Sequence, residues 1–218
     1  ASPLDKPFNN KDWVFEVKWD GVRAILFKGK KEIRIQSRNG NDITKRYPEI
    51  VNSARISLRD CGSVVIGGEI VVLNGQGLPD FNTHQHRMNI QDPNEIMALS
   101  VKFPSTYYAF DILYKDDKNV KGLAYLDRRH LLLKELKTND AIRISDYIEE
   151  KGIEILRKSN ELKLEGNIAK HKTTLSQEGV RSKDWLKIKN TKTQDCVIIG
   201  YTKGTGNRVN YFGSLVLA

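Results

Sequence analysis

Phe15-Glu16-Val17-Lys18-Trp19-Asp20-Gly21-Val22-Arg23 is the stretch on which the reading of this chain turns. Taken with a period of two, Trp13, Phe15, Val17 and Trp19 fall on one face of a strand, and Glu16, Lys18 and Asp20 on the other. The first face can pack into a core. The second presents an amine between two carboxylates, with Gly21 directly after. A lysine fixed on a rigid strand can act as a nucleophile, which a lysine on a loose surface loop rarely does. Alternation alone is also what any half-buried strand shows, so the rest of the chain has to decide.

Outward from this stretch, the first half reads as strands with short turns. Residues 13–18 and 22–28 are strand-like, and Gly29-Lys30 turns the chain into 32–37, where Ile33 and Ile35 alternate with Glu32, Arg34 and Gln36. Pro48 suits the first turn of a helix reaching about residue 58. Residues 64–73 are almost wholly apolar and read as a buried strand, interrupted by Gly67-Gly68 and turned back by Asn74-Gly75-Gln76-Gly77. Another strand spans 107–114. Later come helices over 126–136 and 148–162, then strands over 164–171, 185–189 and 196–202. Strands interrupted by isolated helices indicate an α+β fold rather than a doubly wound one.

The formal net charge of +9 favours polyanionic partners. Cys61 and Cys196 stand far apart without metal-type spacing, which suits a reducing, cytoplasmic setting. No apolar run approaches ~18 residues, so no membrane partner is expected. The N-terminal residues do not form a signal peptide, and the missing initiator Met fits an excised or trimmed piece. His84 and His86 face apart on a helix and have no third ligand near them in sequence, so they do not read as a metal site.

The Lys18 segment resembles the Lys-x-Asp-Gly-x-Arg motif of the covalent nucleotidyltransferases: ATP-dependent DNA ligases, RNA ligases and mRNA capping enzymes. Five further segments resemble motifs of the same family, in the family's order: Ser37-Arg38-Asn39-Gly40, Gly67-Gly68-Glu69, Tyr108-Ala109-Phe110-Asp111, Glu165-Gly166-Asn167-Ile168-Ala169-Lys170 and Trp185-Leu186-Lys187-Ile188-Lys189. Each is weak alone; the ordered set is specific. The surrounding wording is most similar to the ligase module of bacterial and archaeal end-joining ligases. The resemblance implies the covalent nucleotidyltransferase fold: an ATP-grasp-like α+β domain of two antiparallel β-sheets flanked by helices, with ATP between the sheets. That adenylation domain is expected over residues 1–194. Residues 195–218 look like the start of an oligonucleotide-binding barrel, too short to close one, so the family's last motif is expected to be absent.

The implied chemistry is attack of the Lys18 amine on the α-phosphorus of ATP, giving lysyl-AMP and pyrophosphate. A lysine amine ordinarily has a pKa of ~10.4, so it must be activated. Glu16 and Asp20, on the same face, would hold its proton more tightly and cannot be the activators; burial, a divalent metal or other cations must do the opposite. Lys187 and Lys189 are the candidate cations, sharing a strand face while Leu186 and Ile188 point inward. By resemblance, the cofactor-binding set is Glu16, Val17, Arg23, Arg38, Glu69, Phe110, Lys187 and Lys189. Arg23 would bind near the nucleotide sugar and phosphate, and Glu69 and Arg38 would contact the ribose or the nick. Phe110 holds the place of the family's stacking aromatic, although its alternation with Tyr108 and Ile112 fits core packing equally well. Glu165 matches the metal-associated glutamate for Mg2+ or Mn2+, and Lys170 matches a phosphate-contacting lysine. Asp20 and Gly21 complete the lysine motif. Asn167 departs from the apolar residue usual in the relatives. Residues 176–183 read as a mobile basic loop.

The implied function is a DNA ligase adenylation domain acting on nicked double-stranded DNA, a monomer, nucleoid-associated in a prokaryotic cytoplasm, with end-joining proteins or a polymerase module as partners. The alternatives are an RNA ligase or capping guanylyltransferase with the same lysine chemistry, and a non-catalytic DNA-binding module. ATP against GTP, and nicked DNA against RNA ends, separate them.

Overall fold

The computed structural model describes residues 1–30, 32–180, 182–190 and 194–218. In chain order the elements are β1 (Ser2–Pro3), β2 (Asn10–Val17), β3 (Val22–Lys28), β4 (Ile33–Ser37), α1 (Pro48–Ser57), β5 (Val64–Val72), α2 (Phe81–Asn89), α3 (Pro93–Lys102), β6 (Ser105–Lys115), β7 (Lys118–Asn119) and α4 (Tyr125–Glu135). There follow β8 (Ile142–Ile144), β9 (Tyr147–Glu150), α5 (Gly152–Glu161), β10 (Gly166–His171), β11 (Trp185–Lys189), β12 (Ile198–Lys203) and β13 (Phe212–Leu217).

Two sheets carry the body of the chain. The first has the order β1-β11-β10-β2-β9; the second runs β4-β3-β5-β6-β7, with β8 added alongside β6. The expected α+β fold with two sheets is what the chain adopts. Both sheets are antiparallel in the main, as expected; one short strand in each runs the other way, β1 parallel to β11 and β8 parallel to β6.

Each sheet has its own core. Leu26, Ile35, Ile66, Tyr107, Ile112 and Ile142 of the second sheet pack with Ile50 and Leu58 around α1 and with Leu132 of α4. Phe15, Ala169 and Ile188 of the first sheet pack against Ile155 of α5, with Leu4, Phe8 and Trp13 at the margin. The alternation in the opening stretch is thus realised for Phe15, which is wholly buried in this smaller core. Trp19 leaves the pattern. It lies beyond β2 and stacks on Tyr108 of β6, with ring centroids 3.7 Å apart, and its indole donates to Ser145 Oγ at 3.1 Å.

Several element boundaries differ from those read in the sequence. The helix expected over 148–162 starts at Gly152, because Tyr147–Glu150 joins β2 as an edge strand and Glu150 turns with φ +66°. Gly152 is required for close approach: a Cβ there would lie 2.3 Å from the Phe8 carbonyl oxygen and from the Phe15 ring. Helices α2 and α3 were not read at all, although both carry start signals. Asp80 accepts from the Thr83 amide at 3.1 Å, and Asp92 accepts from the Glu95 amide at 2.9 Å, with Pro93 following. The Asn167 departure is only half accommodated: its side-chain oxygen accepts from Ser159 Oγ at 2.7 Å in the interior, while its Nδ2 is buried without a hydrogen-bond partner among the described residues.

Strand β6 is irregular where it matters. Against β5, Gly67 faces Asp111 and Gly68 faces Ala109, so Phe110 has no register partner. This bulge reverses the parity of the strand: Tyr107 and Ala109 before it, and Ile112 after it, all reach the same core. The simple alternation of Tyr108, Phe110 and Ile112 expected from the sequence therefore does not hold.

Residues 198–217 form a separate two-stranded antiparallel sheet, β12 with β13. No helix among the described residues is long and apolar enough to cross a membrane.

Candidate active site

A cavity of about 670 Å3 lies between the two sheets. Glu16, Val17, Ile168, Lys170, Trp185 and Lys187 line it from the first sheet. Arg23, Glu69 and Phe110 line it from the second, with Lys18 and Trp19 at the crossing from β2 to β3 and Arg38 after β4. The chain crosses there because Gly21 lets it: a Cβ on Gly21 would lie 2.1 Å from the Ile70 carbonyl oxygen of β5.

Lys18 stands just past β2, where its amide donates to the Gly166 carbonyl at 2.9 Å. Its Nζ donates to Glu165 Oε2, and both side chains are 22% exposed. Lys189 Nζ reaches the other oxygen of Glu165 at 2.9 Å. Burial pushes the Glu165 carboxyl up, but the hydrogen bonds and charges of the two lysines outweigh it, and the net displacement is downward. Lys189 is displaced upward by the same bond. Asp20 is displaced upward, first by burial and then by the Glu165 charge. Glu165, Asp20 and Lys189 thus form a charged cluster with Lys18, although none of the three lines the cavity itself.

Glu16 does not flank Lys18 as the alternation suggested. It is buried, and its Oε1 accepts from Lys170 Nζ at 2.8 Å and from the Tyr125 hydroxyl. Lys170 Nζ is also 3.1 Å from the Tyr125 oxygen. That ammonium lies 4.3 Å from the Trp185 ring centroid, 4.4 Å from Phe110 and 4.8 Å from Tyr125. Burial pushes Lys170 down to about 8, against the opposing pull of Glu16. Burial and the Glu16 charge push Tyr125 well above its ordinary value.

Phe110 is turned out of the core by the β6 bulge and forms part of the cavity wall. The Arg23 guanidinium carbon sits 4.3 Å from its ring centroid, and Arg23 Nη1 donates to the Gly68 carbonyl at 3.2 Å. The paired glycines make room for this: a Cβ on Gly67 would lie 2.8 Å from Arg23 Nη2, and one on Gly68 2.3 Å from the Tyr107 ring. Glu69 faces Arg23 in register. Burial pushes Glu69 up to about 7, with Arg23 and Lys18 pulling the other way. On β11, Ile188 is buried and Leu186 packs at the core margin, which leaves Lys187 to the cavity as the strand pattern required.

The sequence reading missed Tyr125, Trp19, Trp185 and Ile168 as parts of the site. Tyr125 carries no local signal, because its partner Glu16 is 109 residues away. Residues Gly179 and Val180 of the basic loop reach the cavity, and Glu178 pairs with Lys121 at 2.6 Å; Arg181 lies outside the described residues. His84 is buried on α2 beside Tyr47 and Phe81, whereas His86 is exposed on the same helix.

The sequence model of the family described as "ATP dependent DNA ligase domain" matches residues 3–189. The multifunctional non-homologous end joining protein LigD of Mycobacterium bovis is 35% identical over 205 residues, covering 94% of this chain and 25% of that protein. A DNA ligase of Thermococcus fumicolans is 30% identical over 215 residues, covering 94% of this chain and 37% of the ligase. Among solved structures, mycobacterial DNA ligase D complexed with ATP and MES superposes with a TM-score of 0.74 at 29% identity, over all of this chain and 65% of that one. The chain spans about a quarter of the length of the LigD relatives it matches.

Proposed function

The chain belongs to the ATP-dependent DNA ligase domain family, and from that premise we propose that it is the adenylation domain of a polynucleotide ligase with Lys18 as its nucleophile. One observation carries this reading. Motif residues scattered from 16 to 187 in the sequence converge on one cavity, and Lys18 stands at that cavity, held by the carboxylate of Glu165.

The roles proposed here are those the family resemblance implies, supported by where the residues line the cavity. Glu16 and the end of β2 at Val17 face the nucleobase, and Phe110 stacks on it. In the structure Arg23 lies over the Phe110 ring, so a base stacking there displaces the guanidinium towards the sugar and phosphates. Glu69 and Arg38 take the ribose or the nick, and Lys187 takes the phosphates. Lys189 shares the Glu165 carboxylate with Lys18, so it holds that carboxylate in place when Lys18 leaves it. Lys18 attacks the α-phosphorus of ATP and expels pyrophosphate; AMP passes to the 5′-phosphate of a nick; the 3′-hydroxyl then displaces AMP and forms the phosphodiester. These are phosphoryl transfers governed by positioning and charge stabilisation.

A divalent ion, Mg2+ or Mn2+, fits the donor chemistry. Such ions need only one or two protein carboxylates when substrate phosphates complete the shell. Glu165 would hold it, with Asp20 adjacent in charge. When bound it would supply positive charge to the triphosphate. Lys18 must leave the Glu165 carboxylate before its amine can attack.

The biological setting is inferred on the same footing. The substrate is nicked double-stranded DNA, bound by a monomer in the cytoplasm at the nucleoid, with end-joining proteins or a polymerase module as partners. Residues 195–218 begin a second, oligonucleotide-binding domain. Their exposed Tyr201, Tyr211 and Phe212 supply apolar surface for such a domain to cover.

The test is intact mass after incubation with ATP and magnesium or manganese, followed by sealing of a labelled nick in DNA. The expected result is a gain of one AMP and sealing that requires it. A folded protein that gains no AMP with either metal overturns the reading.

A further inference from the structure

Residues 18–21 carry the chain from the first sheet to the second, and Lys18 and Trp19 are tied to opposite sides of that crossing. Lys18 is held by the first sheet: its amide donates to the Gly166 carbonyl at the start of β10, and its Nζ to Glu165 just before it. Trp19 is held by the second. Its indole lies on the Tyr108 ring of β6, with centroids 3.7 Å apart and planes 21° apart, and its Nε1 donates to Ser145 Oγ at 3.1 Å. Ser145 is a fixed anchor. It is 1% exposed, its amide donates to the Ala109 carbonyl of β6 at 2.8 Å, and its carbonyl accepts from the buried Arg129 of α4. Among the described residues, neither Trp19 nor Tyr108 belongs to either of the two cores, so their stack is a separate contact that ties the lysine segment to the opposite wall.

Tyr108 lies on the strand that also supplies Phe110, and it faces Glu69 of β5 in register. Phe110 and Glu69 both line the cavity, so Trp19 is docked on the wall to which the nucleoside is assigned. We propose that Trp19 is a positioning residue for the nucleophile: its stack on Tyr108 and its bond to Ser145 set the Lys18 amine against the nucleotide wall of the second sheet. The inference rests on the proposed adenylation site and goes beyond it, because it gives a task to a side chain that the lysine motif leaves open.

In the proposed step the Lys18 nitrogen bonds to the α-phosphorus. The bond from that phosphorus to the bridging oxygen breaks with its electron pair on pyrophosphate, and the protons shed by the nitrogen pass to water. The two reacting atoms must first be brought to about 3–3.5 Å, and a misplacement of about 1 Å can cost roughly 100-fold in rate. The flexible stem of a lysine fixes no such distance by itself. The bonds of Lys18 refer it to the first sheet, whereas Phe110 and Glu69 are carried by the second. Trp19 spans that difference with a rigid ring on the adjacent residue. Trp19 also lines the cavity, so direct contact with the nucleotide is the rival reading. The two differ in what they change. A group that touches the ligand equally in the ground and transition states alters affinity, whereas one that places the nucleophile alters the rate once ligand is bound. Tyr108 does not line the cavity, so its effect on the reaction runs through Trp19.

The experiment measures two quantities in the wild-type chain, Trp19→Ala, Trp19→Phe, Tyr108→Leu and Ser145→Ala. One is the single-turnover rate of lysyl-AMP formation at saturating ATP and magnesium. The other is the affinity for an ATP analogue with a methylene group between the α- and β-phosphorus, which binds but cannot transfer AMP. Trp19→Ala should lower the rate by about tenfold or more and leave the affinity within about twofold. Tyr108→Leu, which removes the ring from the other side of the stack, should shift the rate in the same direction, again without loss of affinity. Trp19→Phe keeps an aromatic ring for Tyr108 and should recover most of the rate. Ser145→Ala, which removes only the hydrogen bond, should have the smallest effect. Tyr108→Leu decides the matter if Trp19→Ala does not fold. A wild-type rate in folded Trp19→Ala overturns the inference. So does an affinity loss as large as the loss of rate, because Trp19 then acts by touching the nucleotide. Either result leaves the adenylation site standing. A folded wild type that gains no AMP instead overturns the proposed function.

Discussion

Strands β2 and β10 are joined by two lysine–carboxylate pairs set crosswise. Glu16 of β2 meets Lys170 of β10, and Lys18, just beyond β2, meets Glu165, just before β10. The first pair is 2–3% exposed and the second 22%. The chemistry of the partners is the same, and the surroundings differ. The closed pair is hemmed in by Tyr125, Trp185 and Phe110. The open pair is partly exposed to solvent and has a second lysine on the same carboxylate and Asp20 beside it. A lysine can become a nucleophile only if it can leave its carboxylate. Leaving costs little where solvent and another cation replace the lost partner, and a great deal where an unpaired charge would remain in the interior. On the proposed reading, the closed pair shapes the pocket and the open pair supplies the nucleophile.

The sharpest way to break this contrast is to remove one member of each pair and measure stability by urea denaturation. Lys170→Met should cost ~3–5 kcal/mol, the penalty for stranding a buried carboxylate. Glu165→Gln should change stability by no more than ~1 kcal/mol, as for a solvent-accessible pair. Equal losses would mean that burial does not distinguish the pairs.

A smaller effect is expected from the wall between them. Phe110→Ala should weaken ATP binding by ~1–3 kcal/mol in a titration of folded protein, the range for an aromatic stacked on a base. A folded variant with wild-type affinity would remove Phe110 from the site.

The smallest effect concerns Glu69, across the cavity from both pairs. Burial raises its folded value to about 7, above the ordinary 4.5. Between those limits the folded chain binds a proton that the unfolded chain does not, so this contribution to stability is present at low pH and is lost as pH rises through 4.5 to 7. Glu69→Gln should remove a negative slope of roughly 1 kcal/mol per pH unit at its steepest, read from urea midpoints between pH 4.5 and 7.5. Parallel wild-type and variant curves would show that Arg23 and Lys18 already neutralise the carboxylate.

How much of this was legible in the sequence depends on range. The six motifs are short and local, and they fall on strands or strand ends around the cavity; Lys18, Arg23 and Lys187 line it, and Glu165 pairs with Lys18 beside it. The Ile188 and Leu186 parity was legible because β11 is regular. Phe110 was ambiguous because a bulge that flips parity leaves no mark in residue alternation. The closed pair was invisible, since Glu16 and Lys170 are 154 residues apart and nothing local distinguishes a buried lysine from a phosphate-binding one. Helices α2 and α3 were missed despite Asp80 and Asp92, whose capping role could have been read from spacing to Thr83 and Glu95. The edge strand β9 was lost inside a helical stripe, because the left-handed turn at Glu150 falls on a residue that does not advertise it.

The most direct test of the contrast is to locate the adenylate. The folded chain is incubated with ATP and magnesium, digested at neutral to alkaline pH to preserve the phosphoramidate, and mapped by tandem mass spectrometry. The account predicts one AMP on the Lys18 side chain, none on Lys170, Lys187 or Lys189, and none anywhere in Lys18→Ala or Lys18→Arg, since a guanidinium stays protonated and cannot attack. An adenylate on Lys170, or one that persists in Lys18→Ala, would contradict it.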